Sequence, residues 1–529
     1  MKAGVGEKRA RTSYLLLLFC LGHIVFAFHW IHSRLGTFYY YRGDDVIRIG
    51  LARIWNGAIE PRGDWLPFPE YILGALLALR PDPYGLPLYW HCLLAGICLG
   101  LVGFIAREMV PEEPAAWLLA AAIVCRIPYF ELISFSAGAE VELWFFLLAA
   151  AYAWILYRRR GAVRWAALSG AALFFASGIR YESWIFIGAL LFIVSLEVGG
   201  QTNRKRLPAA LLLLPLIYIA FFIYFQERDF HGITRESFNG LPLSWRGIRL
   251  YFRGPSPGVR RSFLTPLTAW FMPNPLLSLL ETGSVALLWF QRKTWRWYIA
   301  WLGLAFVGMT LVSEVFGTSD DPGRLFVSFH LFLAPVTAGL LMMPLANIRP
   351  AWRLGLAAAA AVLLAAGASY PRIEDGIFWT TMEQREAYAA ARSIHETEEA
   401  TGLRPVLLVE AHVGQEGDLW FYIPLEFAAF ERLAFDRRFE ITPSGLLLGR
   451  ANPSLLDLPE ARLAQSFKEN GIGWIVARSP AAKAKLGKVA HWLGDAGSLS
   501  VFAFGLPTAA ELCRLKLEKW RAILAEPTS

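Results

Sequence analysis

Residues 39–55 read YYYRGDDVIRIGLARIW and place two adjacent acids, Asp44 and Asp45, between two apolar runs of membrane-spanning length. These runs lie near 14–32 and 86–106. The tyrosines suit the headgroup layer of a bilayer, and the segment after the acids suits a helix lying along that layer. Asp44 and Asp45 are therefore the first candidates for catalytic carboxylates. A solvated loop, or an N-cap for the following helix, is the alternative.

The composition predicts a polytopic membrane protein. Of 529 residues, 56% are apolar, 18% are charged and 21 are Trp, whereas soluble domains carry about 25% charged residues. The formal net charge is +8. Its Lys and Arg residues form short clusters between apolar runs, which is typical of membrane topology signals and not of nucleic-acid binding. The five cysteines form no spaced pairs, so neither a disulfide framework nor a zinc site is predicted.

About eleven transmembrane helices are predicted, because a span needs roughly 17 to 25 apolar residues. The runs lie near 14–32, 86–106, 115–131, 142–157, 164–180, 183–198, 207–225, 274–290, 296–313, 325–345 and 352–369. Basic residues before the first run predict a cytoplasmic N-terminus, and the later basic clusters then fall on the same side, except the arginines of the 226–273 loop. Long loops determine topology only weakly, so this loop does not change the assignment. Residues 1–369 are thus a multi-pass membrane domain. Its outer loop, 34–85, holds the acid pair and interfacial helices.

Residues 370–529 differ from the rest and predict a small soluble α/β domain on the outer side of the membrane. The segments PVLLVEA (405–411), IGWIVARS (472–479) and LSVFAFG (499–505) are typical of short buried strands. Amphipathic helices are predicted over 385–402 and 454–471. Binding module and simple cap are both open as roles for this domain.

A second candidate site is the corner FFASGIRYESWIF (174–186), where Arg180 and Glu182 interrupt an apolar hairpin. Ionisable residues inside membrane segments are costly and usually face a cavity or each other. Arg180 is predicted to bind a phosphate and Glu182 to orient it. The alternative is a mutual ion pair at the turn.

Two further acids, Glu140 and Glu142, are predicted in a short outer loop at 134–142. They are candidate acceptor-binding or metal-binding residues, and ordinary loop carboxylates are the alternative.

Arg324 lies at the outer entrance of the span that also contains His330. Arginine presents a rigid fork of donors suited to phosphate oxygens, although arginines at helix ends also extend simply to the membrane surface. His330 is more typical of a hydrogen-bonded interior histidine than of a catalyst. Asp320 and Asp321 suit a solvated turn better than a metal site.

The order of these features resembles the GT-C glycosyltransferases, and within them the protein O-mannosyltransferase and aminoarabinose transferase type. The resemblance rests on the acid pair and interfacial helix, followed by WLPFPEYILGALLAL (65–79) and LPLYWHCLLAGICLGLVGFIAREM (86–109). It covers residues 14–345 and continues in the exported domain that many bacterial members append. It implies an enzyme that moves a sugar from a polyprenyl phosphate to an acceptor on the outer face of the membrane.

The resemblance also implies roles for single residues. Asp44 matches the first acid of the family's Asp-Glu pair, the presumed base, and Asp45 stands in place of the Glu. Arg324 matches an arginine that faces the lipid phosphate, although Leu325 occupies a position where Tyr is common. Arg180 falls where relatives often carry Lys or Arg.

Glu140 lies near the acid of the family's second outer loop, without the usual Thr-Asp before it. The resemblance thus implies an inverting hexosyl- or pentosyltransferase of the mannosyltransferase-like kind, acting in the cell envelope at the cytoplasmic (inner) membrane. Its partners are a polyprenyl-phosphate sugar, membrane lipid and an acceptor glycan, lipid or protein. No cofactor is required by the spacing, and a divalent metal held by Asp44, Asp45 and an outer Glu is open.

A transporter or flippase of a lipid-linked sugar is the alternative function. Transporters tend to have broken helices and charges near the membrane midplane, whereas the charges here gather towards the outer face, which favours the enzyme. A receptor or scaffold would leave the charges in the membrane segments unexplained.

Overall fold

The computed structural model describes most of the chain, and every structural feature given below belongs to the described residues. These are 2–34, 48–49, 52, 66–80, 85–111, 113–125, 127, 130, 133–134, 138–198, 210–229, 270–271, 274–291, 293–311, 322–342, 352, 355–356, 359, 382–410, 432–435, 439–441, 447–449 and 454–525.

The first part of the chain is helical. Its helices are α1 (Lys2–Arg34), α2 (Phe68–Leu79), α3 (Leu86–Met109), α4 (Pro114–Val124), α5 (Glu140–Arg160), α6 (Val163–Ser177), α7 (Glu182–Val198), α8 (Leu214–Asp229), α9 (Pro275–Gln291), α10 (Arg296–Thr310) and α11 (Pro322–Met342). By length and composition, α3 and α5 are each sufficient to cross a membrane, and several of the others are shorter apolar helices. The total number of crossings stays a prediction.

Most predicted runs coincide with a helix, and two need comment. The run predicted over 115–131 is too long, since α4 ends at Val124 with Cys125 as its C-cap. A charged residue and then Pro128 follow in sequence, and a proline disfavours helical backbone at the residue before it. The run at 352–369 lies almost wholly outside the described residues.

Helices α3 and α5 run in the same direction. Near their starts, Trp90 Nε1 of α3 donates to Glu142 Oε1 of α5 at 2.9 Å. Near their ends, Arg159 of α5 donates to Glu108 of α3 at 2.6 Å. The bundle therefore has two distinct ends, which we call the acidic end (Glu140, Glu142 and Glu182) and the basic end (Arg107, Arg158, Arg159 and Arg160).

Helix α11 runs parallel to both. Close to its start, Ser328 accepts a hydrogen bond from Trp144 Nε1, one turn into α5, at 3.0 Å. Further along, a Cβ atom on Gly339 would lie 3.2 Å from Val110, just after the end of α3. The start of α11 therefore belongs to the acidic end of the bundle.

Small residues let the helices approach closely. A Cβ atom on Gly96 of α3 would lie 2.3 Å from Ile24 of α1, and one on Gly103 would lie 2.6 Å from Leu16. Such contacts are typical of membrane helices, which associate through close packing and not through the hydrophobic effect. Helix α1 is thereby held along α3, and its end leads into the segment with the acid pair.

A Gly170→Ala substitution is expected to destabilise the bundle by about 1 to 3 kcal/mol, the usual range for overpacking. A Cβ atom at position 170 of α6 would lie 2.1 Å from the carbonyl oxygen of Leu211, which is backbone and cannot rotate away. The measurement is the thermal unfolding temperature in detergent. Gly188→Ala in α7 is the matched control, because no atom lies within 4 Å of its added Cβ. Equal unfolding temperatures for the two variants would contradict the close α6 contact.

The last part of the chain forms an α/β unit, as predicted. Its strands are β1 (Val406–Val409), β2 (Leu433–Phe435), β3 (Phe439–Ile441), β4 (Leu447–Gly449), β5 (Ile472–Ala477), β6 (His491–Ala496) and β7 (Leu499–Ala503). Its helices are α12 (Met382–Thr401), α13 (Glu460–Glu469), α14 (Pro480–Leu486) and α15 (Pro507–Ala525). The main sheet has the order β2-β1-β5-β7-β6, in which β1 is parallel to β2 and β5 and the other pairs are antiparallel.

All three predicted strands are present as β1, β5 and β7, because their residues form continuous apolar runs. Every residue of β5 and β7 is buried, which explains those runs. Strand β6 was not predicted, since its first two residues are exposed and its sequence, HWLGDA, has no apolar periodicity. Arg432 binds Glu398 through two bonds of 2.9 and 2.7 Å, and Glu398 also accepts from Trp474 of β5. This partly buried pair joins α12 to the sheet.

Candidate functional site

Four of the charged residues predicted from the sequence, Arg180, Glu182, Glu140 and Glu142, lie together at the acidic end, and the Arg180 corner is their centre. Arg180 lies in the turn between α6 and α7. Its Nε and Nη2 atoms donate to Glu182 at 3.0 and 2.6 Å, and its Nη1 atom donates to Glu140 Oε1 of α5 at 2.9 Å. The ion pair at the turn is therefore present, and it extends to a second helix. Three segments of chain are held together by one guanidinium.

The backbone at this corner is packed tightly against the start of α2. Gly178 accepts a hydrogen bond from the Phe68 amide at 3.0 Å, and a Cβ atom at position 178 would lie 2.3 Å from the Phe68 ring. The same ring lies 4.6 Å from that of Tyr218 in α8. A glycine two residues before Arg180 thus allows the helix from the predicted outer loop to dock directly on the corner.

Glu140 and Glu142 do not lie in a loop, which corrects the prediction for 134–142. They belong to the first turn of α5, and both are buried, Glu142 completely. Carboxylates are favoured in a first helical turn because they complement the positive end of the helix dipole. The reading of these acids as ordinary solvated loop residues is therefore wrong.

Glu142 points towards α3. One of its oxygens accepts from Trp90 Nε1, and the same oxygen lies 3.9 Å from His91 Nε2. Its second oxygen has no hydrogen-bond partner among the described residues. His91 Nδ1 lies 2.7 Å from the carbonyl oxygen of Pro87. Since that carbonyl only accepts, Nδ1 carries a proton and Nε2 faces the carboxylate. Sequence reasoning missed both Trp90 and His91.

The acid pair itself, Asp44 and Asp45, lies outside the described residues. Arg48, which follows the acid pair in the sequence, is described and buried, and it lies close enough to Glu142 and His91 for electrostatic interaction. Arg48 therefore belongs to the acidic end of the bundle. The roles of Asp44 and Asp45 stay predictions.

Arg324 lies in the first turn of α11, and its side chain is outside the described part of the structure; Asp320 and Asp321 lie outside it as well. The position of residue 324 on α11 shows at which end of the bundle it lies. Ser328, one turn later, contacts Trp144, which lies one turn after Glu140. Because α5 and α11 are parallel, positions 140 and 324 lie at the same end of the bundle.

The charges described at this end are unequal. Arg48 and Arg180 provide two cationic groups, whereas Glu70, Glu140, Glu142 and Glu182 provide four carboxyl groups. Such a surface suits hydroxyl or amine groups as well as anions. No three His, Cys, Asp or Glu side chains converge as a metal site within the described ranges, which exclude the Asp44 segment.

A further buried pair lies between α9 and α11. His330 Nδ1 is 2.8 Å from Glu281 Oε2, with 2% and 0% of the respective side chains exposed. The expectation of an interior, hydrogen-bonded histidine is met, but its partner was not foreseen. Glu281 is the only charged residue in the sequence of α9. A single charge in an apolar helix indicates a buried polar contact, and this feature could have identified Glu281 from the sequence.

No family model and no curated protein matches the sequence. Solved structures do match. ArnT from Cupriavidus metallidurans in the apo state aligns over 90% of this chain and 97% of its own, with a TM-score of 0.53 and 13% identity. The same protein bound to undecaprenyl phosphate aligns over 92% and 97%, with a TM-score of 0.55 and again 13% identity. The chain has the GT-C fold.

The archaeal oligosaccharyltransferase AglB from Archaeoglobus fulgidus, in complex with an inhibitory peptide and a dolichol phosphate, also aligns. It covers 87% of this chain and 69% of its own, at 13% identity and a TM-score of 0.49. The two ArnT alignments, with TM-scores of 0.53 and 0.55, confirm the GT-C fold expected from the order of the sequence features. They cover 90% and 92% of this chain and so extend beyond its helical first part.

Proposed function

We propose that this chain is an integral membrane glycosyltransferase of the cytoplasmic membrane. It transfers a sugar from a polyprenyl-phosphate donor to an acceptor on the outer face. The observation that carries the proposal is a GT-C fold in which Arg180 and its two carboxylate partners lie at the end opposite the basic end. Basic residues favour the cytoplasmic side, so the acidic end faces outwards. A protein of similar fold binds undecaprenyl phosphate.

In the proposed reaction, Asp44 removes the proton from an acceptor hydroxyl or amine as that group attacks the anomeric carbon of the sugar. The bond between this carbon and the phosphate oxygen breaks at the same time, and polyprenyl phosphate leaves with the electron pair. A single displacement inverts the anomeric centre. Asp45 supports Asp44 in this role.

Charge grows on the phosphate as it departs, and a preorganised cation stabilises that charge. We assign this role first to Arg324, since a guanidinium matches phosphate oxygens with paired donors. Arg180 contributes less, because Glu140 and Glu182 offset its charge. Glu182 fixes the direction of the Arg180 fork, as its two bonds to that side chain indicate.

Acceptor binding is proposed for the carboxyl groups of α5. Glu142 is the better candidate for a hydroxyl or amine donor, since one of its oxygens has no hydrogen-bond partner among the described residues. Glu140 is engaged by Arg180. The Trp90 bond holds the other Glu142 oxygen in place.

Binding of undecaprenyl phosphate to the purified full-length protein tests the proposal. Wild type should bind it, and Arg324→Ala should weaken binding about tenfold, as expected when charge-assisted bonds to an anion are lost. Arg462→Ala is the matched control, because it removes an exposed arginine from α13. The measurement is titration in detergent followed by native mass spectrometry. Absence of binding to wild type, or equal losses in both variants, would refute the donor site.

A further inference from the structure

We infer that Glu281 and His330 are positioning residues that hold the outer end of α11, and therefore Arg324, in register with the rest of the site. The expected effect of this pair on binding of the lipid-phosphate donor rests on the proposed function. The structural part of the inference, the fixation of α11, is independent of that function. The hydrogen bonds described above for Arg180, Glu140 and Glu142 involve neither Glu281 nor His330.

The first observation is the pair itself. Glu281 and His330 are almost completely buried, and they are joined by a 2.8 Å bond between two helices of the membrane domain. The indole of Trp270 lies over the imidazole, with ring centroids 6.0 Å apart and an angle of 19° between planes. Ionisable groups in such a position are costly and are typical of functional sites. Apolar residues would have packed α9 against α11 without that cost.

The second observation is the bond on the other side of the helix. Ser328 of α11 accepts from Trp144 of α5 at 3.0 Å. Ser328 and His330 are two residues apart, and a residue turns about 100° in an α-helix, so their side chains point about 200° apart. Helix α11 is thus held from opposite sides at nearly the same depth. We call these two bonds the α11 clamp.

Hydrogen bonds restrict the rotation of α11 about its axis more than the surrounding apolar packing does. Phe326 and Phe329 fill the neighbouring space with apolar contacts, and these are non-directional. A hydrogen bond instead weakens steeply when its angle falls below about 120°. Rotation of α11, or a slide along its axis, would break both bonds of the clamp. Position 324 lies one turn before Ser328, so the clamp sets where that position lies relative to α5.

The hydrogen bond needs an acceptor at position 281, and a charge there is not essential. A glutamine side chain has a carbonyl oxygen that accepts from the Nδ1 proton of His330. Glu281→Gln should therefore preserve the clamp, whereas Glu281→Ala should break it. Ser284→Ala, a buried polar substitution one turn further along α9, leaves both bonds of the clamp in place.

Two measurements on the full-length protein in detergent test the inference. In Glu281→Ala, amide hydrogen exchange of residues 326–333 should rise about tenfold or more, and binding of undecaprenyl phosphate should weaken about tenfold, as one lost bond to a charged group implies. Glu281→Gln and Ser284→Ala should resemble wild type in both. Unchanged exchange in Glu281→Ala would overturn the clamp, whatever the lipid does.

A double-mutant cycle separates positioning from a direct contact with the lipid. If Glu281 acts through Arg324, adding Glu281→Ala to Arg324→Ala should weaken binding by less than twofold further. Fully multiplicative losses would overturn the positioning role. If wild type fails to bind undecaprenyl phosphate, the proposed function fails, and the exchange measurement still decides whether the clamp exists.

Discussion

Replacing Asp44 by asparagine is expected to lower the rate of sugar transfer about 10²- to 10⁴-fold, the usual contribution of a general base. The amide keeps the size of the side chain but cannot accept the acceptor's proton. Folding and binding of undecaprenyl phosphate should stay close to wild type. The measurement is single-turnover transfer, together with the unfolding temperature.

Asp45→Asn is the control for Asp44→Asn, since it makes the same chemical change at the adjacent position and should have a smaller effect. Substantial turnover by Asp44→Asn would rule out Asp44 as the base. A transporter would continue to move its lipid across the bilayer after either substitution, so the two functions are distinguished by the same pair of variants.

Replacing Arg180 by alanine is expected to destabilise the protein by about 3 kcal/mol, the lower part of the range for breaking a buried ion pair. Glu140 and Glu182 have 4% and 16% of their side chains exposed, and each would lose its bond to this guanidinium. The unfolding temperature in detergent is the measurement.

Charge compensation provides the control for Arg180→Ala. Adding Glu140→Gln should recover part of the lost stability, because the buried carboxylate is then neutral. Arg180→Lys should lie between wild type and Arg180→Ala, since an ammonium keeps the charge but not the fork of donors. An unfolding temperature of Arg180→Ala equal to that of wild type would show that the three side chains do not form a stabilising cluster.

The helices and the small α/β unit were predictable because they depend on local patterns. Apolar runs of sufficient length located α3 and α5, and alternating polar and apolar faces located α12 and α13. The Arg180 corner was also visible, since a charged pair between two apolar segments is rare. The ion pair between Arg180 and Glu182 was one of the two interpretations of this corner, because both residues lie in the same turn.

Long-range contacts were not predictable in the same way. Trp90 and Glu142 are 52 positions apart, and nothing local shows that α3 and α5 run parallel and bring them together. Glu281 and His330, 49 positions apart, each had a local signal as an ionisable residue in an apolar segment. The sequence analysis considered His330 but not Glu281, and neither residue's local sequence indicates that the other is its partner.

The measurement that tests the central claim most directly is sugar transfer by the purified protein from a panel of undecaprenyl-phosphate sugars, each carrying a labelled sugar. An outer-envelope fraction serves as the source of acceptor, and Asp44→Asn is measured in parallel. We predict that wild type transfers label from at least one donor and that the variant does not. No transfer from any donor, by a protein that binds undecaprenyl phosphate, would contradict the glycosyltransferase and favour lipid transport.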